Sequence, residues 1–155
     1  MKIIHGEIAE NAGSFLWFKG KHPNFWTIRN EEPYGVSIHK VEEEIDTGEI
    51  IAQKIIPYDW EDNGGTLYKK SEKECINLFK KTFPKILYKK ITKIIKNSGG
   101  SFHLGKEMFL ESEIDLAKSY IAKDLFNLLR ARTFKGRTSF WLFFKKILVS
   151  FIFSL

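Results

Sequence analysis

The 155-residue sequence has a single cysteine, Cys75, so no disulfide can close within the chain. A lone thiol fits a reducing compartment, and the cytoplasm is the expected location. Cys75 lies inside an apolar, helix-spaced run. No His or helix N-terminus is close in sequence to activate it, so it reads as a buried, inert thiol and not a nucleophile. Long apolar runs are also scarce. The opening MKIIHGEIAENAG lacks the apolar stretch of a signal peptide. The closing FWLFFKKILVSFIFSL is shorter than the ~20 residues of a membrane span and is interrupted by Lys145 and Lys146, so no membrane span is expected. Arginines interleaved with aromatics are missing too, and no nucleic-acid partner is expected. Metal-ligand spacing is absent. Glu42, Glu43 and Glu44 are consecutive and cannot all face one ion, and no His stands near them, so they read as a solvated loop.

The composition that remains is that of a soluble globular domain, with 43% apolar and 28% charged residues. Such a mix excludes disorder over most of the length, and the length suggests one domain. The net charge of +6 would suit an anionic partner. Its lysines, however, cluster in one helical stretch (Lys69, Lys70, Lys80, Lys81, Lys85, Lys89, Lys90, Lys93, Lys96) and read as a solvated helix face.

Pro23 suits the first turn of a helix, and Glu31 to Gly35 suits a turn. The β-prone runs GVSIHKV and Ile50–Ile56 flank a polar loop and predict adjacent antiparallel strands. Thr66 is the expected N-cap of a helical region over 66–96, divided or kinked at Pro84 and ended at 97–101. An extended piece at Ser101–His103 and a final helix from Asp115 to Arg132 complete the reading. Periodicity alone leaves the class at α/β or α+β.

More specific are KGKHPNFWTI, starting at Lys19, and GVSIHKVEEEIDTGEIIAQKII, starting at Gly35. With TLYKK and INLFKKTFPKI after them, they resemble the second half of the formyltransferase catalytic domain. HPNFW, GGSFH at 99–103 and LFNLLRARTF at 125–134 resemble the subgroup that formylates nucleotide-linked sugars. The resemblance covers roughly residues 17–137. It implies an α/β fold: the C-terminal half of a Rossmann-like catalytic domain over 1–96, then a small helical C-terminal segment over 97–139. Residues 140–155 are an apolar tail outside the pattern. The resemblance implies formyl transfer from N10-formyltetrahydrofolate to the amine of a dTDP-type amino-sugar, with a homodimer as a candidate assembly. A methionyl-tRNA formyltransferase-like protein is the alternative enzyme, although there is no room here for the extra RNA-binding domain such enzymes carry.

In that family an Asn and a protonated His stabilise the oxyanion of the tetrahedral intermediate, and an Asp orients the His and helps move protons. Asp46, in IDTG, matches the Asp and is the expected catalytic residue. Glu44 and Ile45 are expected to border the folate through their main chain. His103, Arg130 and Arg132 are the candidates for contact with the nucleotide-sugar, because a guanidinium can clamp a phosphate with two hydrogen bonds. Arginines at a helix C-terminus also complement the helix dipole, and that structural reading stands beside the functional one. The Asn and His of the family pattern fall on Ala9 and Asn11. Alanine makes no polar contact, and asparagine cannot shuttle a proton near neutral pH. The expectation is a truncated chain with impaired or absent catalysis, a non-catalytic remnant or an interaction module. His39 reads as a structural histidine, and Phe25 and Trp26 as core.

Overall fold

Proline at the first helical position gives up no hydrogen bond, and Pro23 opens α1 (Pro23–Asn30) in that place. A computed structural model describes residues 18–40, 49–88, 90, 101–134, 138–144 and 147–152. Before α1 runs the short strand β1 (Phe18–Gly20); after it come β2 (Tyr34–His39) and β3 (Ile50–Ile56). The two are antiparallel, in register from Tyr34 opposite Ile56 to His39 opposite Ile50, with an irregularity between Ile38 and His39. Alternation along β2 places Tyr34 and Val36 in the core, where Phe25, Ile28, Ile56, Leu67, Met108 and Leu128 join them. Each such large apolar side chain contributes about 1.5–3 kcal/mol on burial.

The long helix α2 (Gly64–Leu87) starts one turn earlier than the sequence suggests. Asn63, not Thr66, is its N-cap. The Asn63 side chain accepts from the backbone N–H of Gly65 (2.9 Å) and Thr66 (3.0 Å). The Thr66 hydroxyl accepts in turn from the Asn63 N–H at 2.9 Å. This reciprocal capping box satisfies donors that the first turn would leave orphaned, which is why Thr66 sits inside the helix. Pro84 stands within α2 without ending it. α2 ends at Leu87, with Tyr88 as its C-cap, short of the expected extent to 96; the Tyr88 N–H turns back to the Pro84 carbonyl at 3.0 Å and closes the last turn.

The C-terminal segment mixes helix and strand: β4 (Ser101–His103), α3 (Gly105–Leu110), β5 (Glu113–Asp115), α4 (Ala122–Arg132), β6 (Thr138–Phe144) and β7 (Ile147–Ile152). β4 pairs with β1 in parallel, and β6 lies between β5 and β7. The final helix therefore begins at Ala122 and not at Asp115. Asp115 closes a strand, its side chain accepts from the Ala117 N–H (3.0 Å), and its own N–H donates to the Tyr120 hydroxyl (2.9 Å). An aspartate bonded to the backbone two residues on makes a turn, and this turn displaces helix.

The two parts of the chain meet at the start of α2. A Cβ on Gly64 would lie 2.3 Å from the Ala131 carbonyl oxygen, so only glycine lets α2 and α4 come this close. The Asn24 side chain donates to the Gly64 carbonyl at 2.9 Å, and the Gly65 N–H donates to the Thr133 carbonyl at 3.0 Å. Among the described residues, no helix is long and apolar enough to cross a membrane.

Candidate active site

The loop that carries Glu44, Ile45 and Asp46 joins β2 to β3; residues 41–48 lie outside the described residues. Its two ends are described. At the neck, the Lys40 N–H donates to the Glu49 carbonyl at 3.0 Å, and the Lys40 ammonium pairs with the Glu49 carboxylate. Just inside, His39 is buried, as the structural reading expects, and Ile50 is fully buried. Opposite charges on either side of the predicted loop were visible in the sequence as Lys40 and Glu49, but only the pairing register brings them face to face.

His103 ends β4 beside β1, and its carbonyl accepts from the Lys21 N–H at 2.9 Å. The imidazole lies flat on Trp26, with ring centroids 3.8 Å apart and planes 14° from parallel. Its Nδ1 is 3.2 Å from the carboxylate of Glu107, in the first turn of α3. His103 is thus held on one side by an aromatic face and at its edge by an acid. Trp26 is buried, as expected for core, and is stabilised further by edge contact with Phe25 at 5.0 Å. Glu107 was missed by sequence reasoning, because α3 has no strong periodicity; its spacing of four from His103 was the available signal.

Arg130 and Arg132 sit in the last turn of α4, two residues apart, and so point to different neighbours. The Arg130 guanidinium donates to the Asp59 carbonyl (2.7 Å), the Asp62 carbonyl (3.2 Å) and the Asn127 side chain (3.0 Å). It also lies 4.5 Å over the Trp60 ring. Arg132 is 8% exposed and donates to the Met108 sulfur at 3.2 Å, with Phe109 on its flank. Burial pushes its pKa down. One arginine fastens α4 to the 59–62 loop, and the other fastens it to α3.

The same 59–62 loop is tied to α2. Burial of the Asp62 carboxyl opposes its ionisation, but hydrogen bonds from Lys70, the Asp59 N–H and Thr66 outweigh it and hold the pKa below the ordinary value. The Lys70 ammonium is 2.6 Å from Asp62. Burial raises the Cys75 thiol pKa, with Glu72 adding to it, which keeps the thiol protonated and inert.

Two family profiles match the chain. The formyl transferase profile matches residues 13–82, and the N-formyltransferase dimerization C-terminal domain profile matches residues 107–143. The chain belongs to the formyltransferase family. Gly64 lies in the first matched stretch and Ala131 in the second, so the two matched stretches pack together at this junction. The chain is 33% identical over 134 residues to the bifunctional polymyxin resistance protein ArnA of Wigglesworthia glossinidia brevipalpis, covering 85% of this chain and 20% of that protein. Among solved structures it is similar to a 4-N formyltransferase from Francisella tularensis, with 30% identity and a TM-score of 0.81. That match covers 90% of this chain and 58% of that one. It is also similar to an N-formyltransferase from Helicobacter canadensis in complex with folinic acid and dTDP-3-aminofucose. Here the identity is 26% and the TM-score 0.70, over 84% of this chain and 48% of that one. The chain thus spans a fifth of its curated relative and about half of these two formyltransferase chains.

Proposed function

We propose that this chain contributes the donor-loop half of a sugar N-formyltransferase. The reaction is transfer of the formyl group of N10-formyltetrahydrofolate to the amine of a nucleotide-linked, dTDP-type amino-sugar, in the cytoplasm. The observation that carries the reading is the pairing of two family segments on one chain, the second of them of the N-formyltransferase type. The Helicobacter canadensis relative, with a folate and a dTDP-amino-sugar bound, supports the choice of both substrates. Asp46 is proposed as the proton-handling carboxylate, and the main chain of Glu44 and Ile45 as the border of the folate. The clamped β2–β3 neck favours this, since a catalytic loop works only when its ends hold still. His103, lying on Trp26 and bonded to Glu107, is proposed to face the nucleotide-sugar. Arg130 and Arg132 are proposed to hold α4 in place and leave the phosphates to other groups, because their donors are engaged within the chain. The dimerization-type C-terminal segment favours a homodimer.

Catalysis by this chain alone is proposed to be impaired. Ala9 and Asn11 stand where the family pattern has Asn and His, and each oxyanion donor or proton carrier is worth about 10²–10⁴-fold in rate. The test combines two measurements on the purified chain: titration with folinic acid, and chromatographic detection of formylated dTDP-amino-sugar. Measurable folinic acid binding with little product is expected, and Ala9→Asn with Asn11→His should raise turnover. Absence of folinic acid binding in both the native chain and that double variant would sink the reading.

A further inference from the structure

Two costs in the fold converge on His103. Among the described residues, the non-glycine positions with positive φ are His22 at 60° and Glu31 at 55°. They are the N-cap and the C-cap of α1. Side chains other than glycine enter the left-handed region at a cost, and such strain gathers where a fold must aim a group. Between the two, α1 carries the buried Trp26. Its indole N–H has no hydrogen-bond partner among the described residues, although a buried tryptophan usually finds one. Trp26 is therefore oriented by its ring and not by its N–H, and the group lying on that ring is the His103 imidazole.

The imidazole is held in three ways. Its main chain is fixed in the parallel β1–β4 register, with Gly20 opposite His103. Stacking on Trp26 sets the plane of the ring. The Glu107 carboxylate, at Nδ1, sets the rotation of the ring within that plane. With its side chain 37% exposed, Glu107 adds little stability as an ion pair. What the contact does fix is the tautomer. A carboxylate only accepts, so a proton stands on Nδ1, and in the neutral ring Nε2 is the acceptor. The His103 side chain stays 16% exposed, and its neighbours Phe102 and Leu104 are exposed. The ring is clamped without being sealed from solvent.

We propose that Glu107 is a positioning residue for substrate recognition. Through Nδ1 it fixes His103 in the tautomer whose Nε2 accepts a hydrogen bond from a hydroxyl or N–H group of the nucleotide-linked amino-sugar. The ligand atom is thus a donor on the base or a sugar; a phosphate oxygen is itself an acceptor and does not suit a lone pair. This role rests on the proposed placement of His103 at the nucleotide-sugar. To that placement it adds the residue that acts through His103 and the kind of ligand group that His103 takes.

The test reads the ring nitrogens of His103 by nuclear magnetic resonance. It uses the full chain with isotope-labelled histidine, in alkaline buffer, which leaves imidazoles neutral. His103→Gln identifies the signals among those of the four histidines. The native chain should show the Nδ1–H tautomer. Glu107→Ala should shift it toward Nε2–H, whereas Glu107→Gln, whose amide oxygen still accepts, should keep it. Titration with dTDP-amino-sugar should move the Nε2 signal of the native chain, and inorganic pyrophosphate should not. Glu107→Ala should weaken binding of the dTDP-amino-sugar about tenfold, with Glu107→Gln close to native. Glu111→Ala removes a carboxylate that lies 3.8 Å from Arg29 and should change neither readout. A tautomer indifferent to Glu107→Ala overturns the proposal, as does equal weakening by Glu111→Ala. Movement of Nε2 by pyrophosphate equal to that by dTDP-amino-sugar overturns it too. Binding of dTDP-amino-sugar that leaves Nε2 unmoved overturns it and leaves the proposed reaction standing. Folinic acid binding with no binding of dTDP-amino-sugar overturns it and spares only the donor side of that reaction. Loss of both sinks both readings.

Discussion

The two halves of α2 are built from similar residues and meet opposite fates. The first half is capped and anchored on one face: Asn63 and Thr66 cap it, Leu67 and Ser71 are buried, and Gly64 lies against Ala131. The second half leaves Ile76, Phe83 and Leu87 roughly half-exposed. Helical periodicity runs through both without a break. Amphipathic spacing therefore reports that a face seeks cover, and says nothing of whether the cover lies in the same stretch of chain.

The largest expected difference between the halves comes from truncating one apolar residue in each. Leu67→Ala should cost about 3 kcal/mol by urea unfolding, the usual loss for a fully buried leucine. Phe83→Ala should cost less, about 1 kcal/mol, because the ring is 42% exposed and stacks on Phe79. Equal losses would mean that Phe83 is covered within the chain as fully as Leu67 and would erase the contrast. Next comes the closest approach. Gly64→Ala should cost about 2 kcal/mol, because the new methyl meets main chain that cannot swing aside. Gly65→Ala, whose Cβ meets its nearest atom, the Asn63 side-chain oxygen, at 3.3 Å, should cost less. The same unfolding measurement on both variants ranks them.

Smaller again is the cap. Asn63→Ala should cost about 1 kcal/mol, read as a lower urea midpoint at unchanged slope. A cap loss confined to the first half should leave exchange of amides at 80–87 as it was. Smallest is the pH effect. Asp62 has a folded pKa below its ordinary value, so it binds its proton less readily folded than unfolded. Its contribution is present above the ordinary carboxylate value and is lost as pH falls through the depressed one. With Lys70 half-exposed, the contribution should stay under about 1 kcal/mol. Urea midpoints from neutral pH into acid should fall less in Asp62→Asn than in the native chain. An identical acid slope would show that Lys70 and Thr66 do not hold this carboxyl.

Local chemistry was legible along the chain. Pro23 marked the start of α1, and the two β-prone runs around the acidic loop became β2 and β3 with the expected antiparallel sense. The ordered motifs from Lys19 to Phe134 carried the family, because a family signature is itself a local pattern of residues. What the sequence could not decide were the matters that depend on partners far away in the chain. Asn63 prevailed over Thr66 as the cap by hydrogen-bond geometry that spacing alone leaves open. Asp115 became a turn instead of a helix start once β5 and Tyr120 competed for its backbone. Arg130 and Arg132 read equally well as phosphate ligands or as helix-end cations. The main-chain carbonyls of Asp59 and Asp62 and the Met108 sulfur, which occupy their donors, come from segments no local pattern connects to α4. Propensity and motif act over a few residues, whereas coverage of a face, closure of a neck and the engagement of a guanidinium are settled only when distant segments are packed together.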